Sequence, residues 1–321
     1  MKPAPFEYHT PASAREAVDL LAELGDGAKV IAGGQSLVPV LAMRLAVFDH
    51  LIDIRRVDGL RGIEEREDSV WIGAGTTEAE IGRSELVAAR VPLLARATPL
   101  IGHFQIRNRG TIGGSLAHAD ASAEYPAVVL ALDAVIEALS PRGPRTIPAS
   151  EFFTGIWETA LEPDELLTGV RFPTPAGPGA PGKVADFDRA RIGGYGGSSP
   201  RGKTGFAIEE FARRSGDFAV AGAAVAVGLA GDGTIAHAAI SLFGLGSTPL
   251  RAVSAEALAG GSGAAPGRAT ETSAESVGRA AVADLDAVPS DLHGTADYRR
   301  KVGAVMVARA WDKAVKEAAN A

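Results

Sequence analysis

"VIAGGQSLVPVLAMRLAVFDHLIDI", residues 30–54, passes from an apolar run through two glycines, a glutamine and a serine into a second apolar run. The stretch before Gly33 is short and apolar, which predicts a buried strand. "SLVPVLAMRL" predicts a short helix and "HLIDI" a second strand. Strand, glycine turn, helix and strand within about fifty residues form a βαβ-like unit. The glycine pair has two readings. It is either a tight turn before a helix capped by Ser36, or a piece of backbone bare of side chains whose amides close on a phosphate.

Upstream, a strand is expected around Phe6 to Tyr8. "TPASAREAVDLLAELGDG" then reads as a helix with Ser13 as cap, Glu16 completing a capping box and Gly25 as stop; Ala17, Leu20, Leu21 and Leu24 share one face. Downstream, "SVWIGAG" alternates as a strand should, and "TEAEIGRS" and "VPLLARATPLI" predict helices. A glycine-rich turn, "NRGTIGGSLAHADASAEYP", leads into "PAVVLALDAVIEAL", part helix and part strand. "DELLTGVRFP" is a strand stopped by proline.

Glycine and proline then dominate "PTPAGPGAPGK" and "RIGGYGGSSPRGKTG", placing a boundary near residue 177. In "DFAVAGAAVAVGLAGDGTIAHAAISLFGLGSTP", two alternating strands flank a Gly231-Asp232-Gly233 hairpin turn. "GGSGAAPGRATETSAES" reads as a mobile connection. The final helix, capped by Thr295, sets Val302, Val305 and Ala308 apart from Arg309 and Asp312, with Trp311 in the core. The organisation predicted is 1–55, 56–177 and 178–321.

A chain of 321 residues with 46% hydrophobic and 22% charged residues can bury more than one core. Net charge −7 without a long basic run argues against nucleic acid or an anionic membrane surface as partner. The opening lacks an apolar signal core and no run of about 18 uncharged apolar residues occurs, so a soluble cytoplasmic protein without an integral membrane segment is expected. With no cysteine, the chain carries no disulfide, thiolate zinc site, cysteine nucleophile or cysteine-held iron–sulfur cluster. Its six histidines show no metal-ligand spacing, so no metal site is expected. Redox chemistry would require an organic cofactor.

"TIGGS", 111–115, repeats the pattern of an apolar residue, two glycines and a hydroxyl. Two such loops suit the two phosphates of a pyrophosphate, with Arg107 and Arg109 as charge-balancing candidates. Neither loop fits the Rossmann or P-loop pattern, so the ligand is sought among other dinucleotides. His118 and Asp120 are either an acid–base pair or groups that satisfy backbone. Arg213 and Arg214 read as a solvated strand start or a patch for an acidic partner.

In this order, "AGGQSLVPVLAMRLA", "LIDI", "QIRNRGTIGGSLAHADASAEYPAVVLALDA", "RRSGDFAVAG", "GLGSTPLRA" and "DLHGTADYRRKV" resemble the FAD-binding medium subunit of the molybdenum hydroxylases, a family that includes carbon monoxide dehydrogenase and relatives of xanthine dehydrogenase. The resemblance implies an α+β fold: a vanillyl-alcohol-oxidase/PCMH-type FAD-binding unit of two α/β subdomains, followed by a C-terminal α/β domain of the CO dehydrogenase flavoprotein type. It implies that Ala32, Gly33, Gly34, Gln35, Ser36 and Leu37, with Thr111, Ile112, Gly113 and Gly114, wrap the FAD pyrophosphate. Glu124 stands where relatives commonly place an aspartate facing the adenosine half. Leu167 matches a position whose backbone lies near the flavin ring, and Phe218 one that shields the ring face.

No residue is implied as catalytic. Since this chain cannot ligate iron–sulfur clusters, the resemblance implies a small subunit with [2Fe–2S] clusters and a large molybdopterin subunit, arranged as a dimer of heterotrimers, this chain passing electrons to an external quinone, NAD or oxygen. Gln35 departs from the histidine usual in carbon monoxide dehydrogenases, and the Arg191–Gly205 loop looks long. A stand-alone FAD-dependent NAD(P)H reductase and an assembly module without flavin are the alternatives. Under the pyrophosphate reading, a bulky residue at 33 or 113 would eject flavin and spare the fold.

Overall fold

The structure, a computed structural model, describes residues 2–174, 203–260 and 272–321. The first segment supplies β1 (Glu7–His9), α1 (Ala14–Leu24), β2 (Ala28–Ile31), α2 (Leu37–Ala42) and β3 (His50–Asp53). The strands are parallel in the order β1-β3-β2, and β2, α2 and β3 form the expected βαβ unit. Ser13 caps α1 by accepting the Glu16 amide at 3.1 Å, but the Glu16 carboxylate reaches back to the Ala12 amide at 2.7 Å, one residue before a standard capping box. Gly25 ends the helix at φ +56°. Ala17, Val18 and Leu21 are buried in one cluster with Ile52 of β3, while Leu20 and Leu24 pack at its margin.

The chain continues through β4 (Ile63–Arg66), β5 (Ser69–Gly73), α3 (Glu78–Arg83), α4 (Glu85–Arg90), α5 (Pro92–Ala97), α6 (Phe104–Arg107), α7 (Ile112–His118) and α8 (Glu124–Ala131). Then come β6 (Val135–Ser140), β7 (Gly143–Pro148), α9 (Ala149–Phe152), the small hairpin of β8 (Phe153–Gly155) and β9 (Glu158–Thr159), and β10 (Leu166–Pro173). Strands β4-β5-β10-β6-β7 make an antiparallel sheet, and Pro173 is the last residue of β10 to pair. β5 is buried along its whole length rather than on alternate residues.

The last part contains β11 (Lys203–Phe211), β12 (Ala221–Leu229), β13 (Ile235–Phe243), β14 (Leu250–Arg251), α10 (Val253–Leu258), α11 (Ala274–Ala283) and α12 (Ala296–Asn320). β11 to β14 form an antiparallel sheet in chain order. The hairpin at 231–233 joins β12 to β13, with Gly233 at φ +82°.

The strands it joins are apolar on both faces, for a physical reason. Ala224 and Ala226 of β12 face a core shared with α8, whereas Ala223, Val225 and Val227 face α11 and α12. A sheet covered on both sides loses the polar half of its alternation. The same sandwiching explains α8, every residue of which is buried. Small residues let the layers close: a Cβ on Gly205 would stand 1.9 Å from the Ala314 carbonyl oxygen of α12.

Other expectations are corrected. Arg213 and Arg214 lie in the turn after β11, not at a strand start. Ser273 caps α11 by accepting the Ser276 amide, so "TSAES" is helix start rather than connection. On α12, Trp311 is core as expected, but Val305 is exposed and Arg299 buried, its guanidinium donating to the Val220 and Gly244 carbonyls and pairing with Asp291. The predicted boundary at 177 and residues 191–202 of the long loop lie outside the described residues, while Lys203–Gly205 already belong to β11.

Candidate functional site

The two glycine loops meet. β2 delivers the chain to Ala32, and Gly34 turns it at φ +74° toward α2, a conformation that favours glycine. Gly33 is buried against the second loop: a Cβ there would stand 2.2 Å from the Arg109 carbonyl oxygen and 2.8 Å from the Gly110 α-carbon. A Cβ on Gly114 would be 3.6 Å from that of Ala32. Ala32–Leu37 and Thr111–Gly114 are therefore brought together.

The loops differ in what they offer. In the second, every early amide is taken: Ile112 donates to the Thr76 carbonyl at 3.1 Å, Gly113 to Ala74 at 2.9 Å and Ser115 to Thr111 at 2.9 Å. The Gly114 amide donates to the Thr111 hydroxyl at 3.1 Å. Gly113 sits so closely on Ala74 that its Cβ would be 2.5 Å from the alanine methyl. This loop is a wall, contrary to the expectation that both would present amides.

In the first loop, the amides of Gly33, Gly34, Gln35, Ser36 and Leu37 have no acceptor among the described residues. Withholding an acceptor from a fully buried amide costs about 1–3 kcal/mol. Here Gly34 to Leu37 are only half-buried, so water can serve them until an anion replaces it. Ser36 is corrected as a cap: its backbone is already helical, at φ −96° and ψ −45°, and its hydroxyl makes no cap bond. The start of α2 is closed instead by the Gly34 carbonyl, which accepts the Val38 amide at 3.0 Å. The Gln35 side chain folds back onto the Gly33 carbonyl at 3.0 Å.

The two arginines also separate. Arg107 donates through Nη1 to the Ile101 and Gly102 carbonyls at 2.8 and 2.9 Å, which ties one end of its guanidinium to the turn before the second loop. Arg109 is exposed and its side chain is unpaired among the described residues.

Glu124 opens α8 and is 6% exposed. Burial, with the carboxyls of Glu210, Glu78 and Asp120 nearby, pushes its pKa up to about 8. It is therefore mostly protonated at neutral pH and able to donate as well as accept. Two further acids escaped the sequence reading. Burial raises Glu78 to about 7, against the pull of Arg107, and raises Glu210 to about 7. Each has a carboxyl oxygen without a hydrogen-bond partner among the described residues. Nothing local marks Glu78, since it is buried by Gly110, where a Cβ would lie 2.6 Å from its carboxylate.

Leu167 is buried on β10, at the point where pairing with β6 shifts register. The neighbouring Thr168 carbonyl accepts the Ala74 amide at 3.0 Å, which ties β10 to the floor beneath Gly113. Phe218 is 57% exposed on the turn after β11. That turn packs on the approach to the second loop, because a Cβ on Gly216 would stand 3.0 Å from Gly102 and from the His103 ring. Asp120 accepts the Ser122 amide at 2.8 Å, a turn-forming role. His118 stacks on Trp157, and burial lowers its pKa against the opposing pull of the Asp120 charge.

A loop whose amides have no acceptor among the described residues, held against a second loop whose amides are all taken, is suited to the phosphates of a dinucleotide. Residues 4–175 match the family described as FAD binding domain in molybdopterin dehydrogenase, and residues 206–314 match the CO dehydrogenase flavoprotein C-terminal domain. The chain belongs to the FAD-binding medium subunits of the molybdenum hydroxylases. It is 40% identical over 318 residues to the alpha subunit of the 6-hydroxypseudooxynicotine dehydrogenase complex of Paenarthrobacter nicotinovorans, covering 99% of this chain and 97% of that one. The carbon monoxide dehydrogenase medium chain of Hydrogenophaga pseudoflava is 39% identical, with 98% of each chain covered. A structure of carbon monoxide dehydrogenase from that organism, lacking the Mo-pyranopterin moiety of its cofactor, superposes with TM-score 0.85 at 39% identity over 99% of each chain. The protein is thus an oxidoreductase subunit with an FAD-binding domain, and its α+β architecture is that of the CO dehydrogenase medium chain. Among the described residues, no helix is long and apolar enough to cross a membrane.

Proposed function

We propose that this chain is the electron outlet of a molybdenum hydroxylase. It would receive electrons from [2Fe–2S] clusters on a small subunit, fed by a large molybdopterin subunit, and pass them to an external acceptor. The observation that carries the site is the row of unpaired amides from Gly33 to Leu37, pinned by Gly33 against Arg109. Bound there, FAD supplies a centre that exchanges one or two electrons.

The chain's own residues position that group. Ala32, Gly33, Gly34, Gln35, Ser36 and Leu37 hold the pyrophosphate by backbone amides and the Ser36 hydroxyl. Thr111, Ile112, Gly113 and Gly114 form the opposite wall. Glu124 meets the adenosine half with a protonated carboxyl. The Leu167 backbone and the exposed Phe218 ring would serve the flavin half of the group, Phe218 by shielding it from water. Lobes 1–55 and 56–177 flank the group, and 178–321 presents Phe218. The chain's lack of cysteine supports placing the clusters on another polypeptide, and soluble cytoplasmic assembly as a dimer of heterotrimers completes the reading.

Native purification followed by absorption spectroscopy and denaturing gel analysis tests this. Flavin and iron–sulfur absorbance together with one small and one large additional polypeptide is the expected result. A flavin-bearing chain that purifies alone and oxidises NAD(P)H would replace the outlet role with that of a free-standing reductase.

A further inference from the structure

Outside that site, the parallel pairing of β1 with β3 sets Glu7 opposite His50 and His9 opposite Ile52. Residues two apart on a strand share a face, so Glu7, His9 and His50 project from the same side of the sheet. His9 Nε2 stands 3.1 Å from His50 Nδ1, and Glu7 Oε2 stands 3.4 Å from that same nitrogen. The three ligand atoms all lie within 4.8 Å of one another. Four-coordinate zinc with ligands at about 2.0–2.1 Å separates neighbouring ligand atoms by about 3.3 Å, so both short spacings match edges of one coordination tetrahedron.

Proton accounting points the same way. A neutral imidazole carries one N–H. If His50 Nδ1 holds it, that hydrogen can be directed fully at only one of its two neighbours; if not, a nitrogen lone pair faces the Glu7 carboxylate. A divalent cation among the three atoms meets every lone pair at once. The imidazoles are half-buried, while the Glu7 side chain is 74% exposed, which leaves an entry path and space for a water as fourth ligand. Two imidazole nitrogens and one carboxylate oxygen suit ions of the zinc class over calcium or magnesium.

We propose that Glu7, His9 and His50 form a binding site for a divalent ion of the zinc class, which clips edge strand β1 to β3. β1 has three residues and, among the described residues, β3 as its only strand neighbour. On the other face, Tyr8 and Arg55 both bond Asp53 of β3, so the ion would fasten β1 from the side that network leaves free. The histidines are 41 residues apart; no spacing motif signals them, and only strand register brings them together.

The test uses the full-length chain with its flavin, stripped with a chelator and titrated with zinc chloride by calorimetry and with cobalt chloride by visible absorption. One saturable equivalent of zinc and the absorption of tetrahedral cobalt are expected. His9→Gln, His50→Gln and Glu7→Gln each weaken binding by at least about tenfold, since losing a ligand costs no less than losing the outer partner that orients one. His293→Gln, at an exposed histidine elsewhere, binds as the parent does. No saturable equivalent in the parent, or equal affinity in the parent and the His9, His50 and Glu7 variants, overturns the site. Flavin content in the same samples reports separately on the phosphate loops.

Discussion

Gly33 is packed against the peptide carbonyl of Arg109 so closely that a Cβ would stand 2.2 Å from the oxygen. The glycine is thus required first by the docking of one loop on another. The sequence suggested that this space belongs to pyrophosphate; the structure fills it with protein, and fills the space beside Gly113 with Ala74. Gly33→Ala and Gly113→Ala should each destabilise the flavin-free chain by about 1–3 kcal/mol, as overpacking does, with loss of flavin as a consequence. Urea denaturation of the flavin-free proteins measures this. Unchanged midpoints combined with lost flavin would restore the pyrophosphate explanation.

The hydroxyls of the two loops give a contrast. Thr111 caps α7 by accepting the Gly114 amide, so Thr111→Ala should cost the flavin-free chain about 1 kcal/mol. Ser36 makes no cap bond, and Ser36→Ala should change stability by less than about 0.5 kcal/mol while weakening flavin retention. Equal destabilisation by both substitutions would mean that Ser36 caps after all.

Buried carboxyls set the direction of the pH response. Glu124 is pushed up to about 8, and Glu78 and Glu210 to about 7. In the unfolded chain they titrate near 4.3. The folded state therefore holds more protons between these values, and stability falls as pH rises across that window. Paired acids such as Asp53, Asp291 and Glu317, held below their usual range by arginines, act with the opposite sign below about pH 4. The melting temperature of the flavin-free chain should drop by several degrees between about pH 5.5 and 8. Glu124→Gln, which keeps a donor and an acceptor but cannot ionise, should flatten the slope. An identical slope in that variant would sink the assignment.

What the sequence disclosed and withheld divides by range. The βαβ unit, the caps at Ser13 and Thr295, the stop at Gly25 and the hairpin around Asp232 are local, since turn chemistry and short-range periodicity specify them. The two glycine pairs were visible for the same reason. Their division of labour was not, because the amides after Thr111 are consumed by carbonyls of residues 74 and 76, which only the fold brings near. Nothing in the first turn of its helix marks Glu78, because the cover comes from Gly110, 32 residues away in the chain. His9 and His50 were likewise silent, because parallel register and not spacing makes them neighbours. The alternation expected in β12 failed where a second layer covers the sheet, a fact no single strand encodes.

Arg107 and Arg109, alike in the sequence, should separate on substitution. The Arg107 guanidinium closes on the carbonyls of Ile101 and Gly102, bonds that organise the turn before the second loop. Removing it leaves those acceptors unmatched, so Arg107→Ala should destabilise the flavin-free chain by about 1–3 kcal/mol. Arg109 is exposed and unpaired among the described residues, so Arg109→Ala should leave that stability within about 0.5 kcal/mol of the parent. Its backbone, however, carries the carbonyl on which Gly33 rests, which sets residue 109 next to the proposed pyrophosphate loop. Charge attraction there is screened by salt. Arg109→Ala should therefore weaken FAD binding several-fold at low ionic strength and less at high, whereas the parent's affinity should fall as salt is added. Fluorescence titration of flavin-free protein with FAD at two salt concentrations reads this directly. Equal affinity and equal salt dependence in the parent and Arg109→Ala would remove Arg109 from the phosphate site.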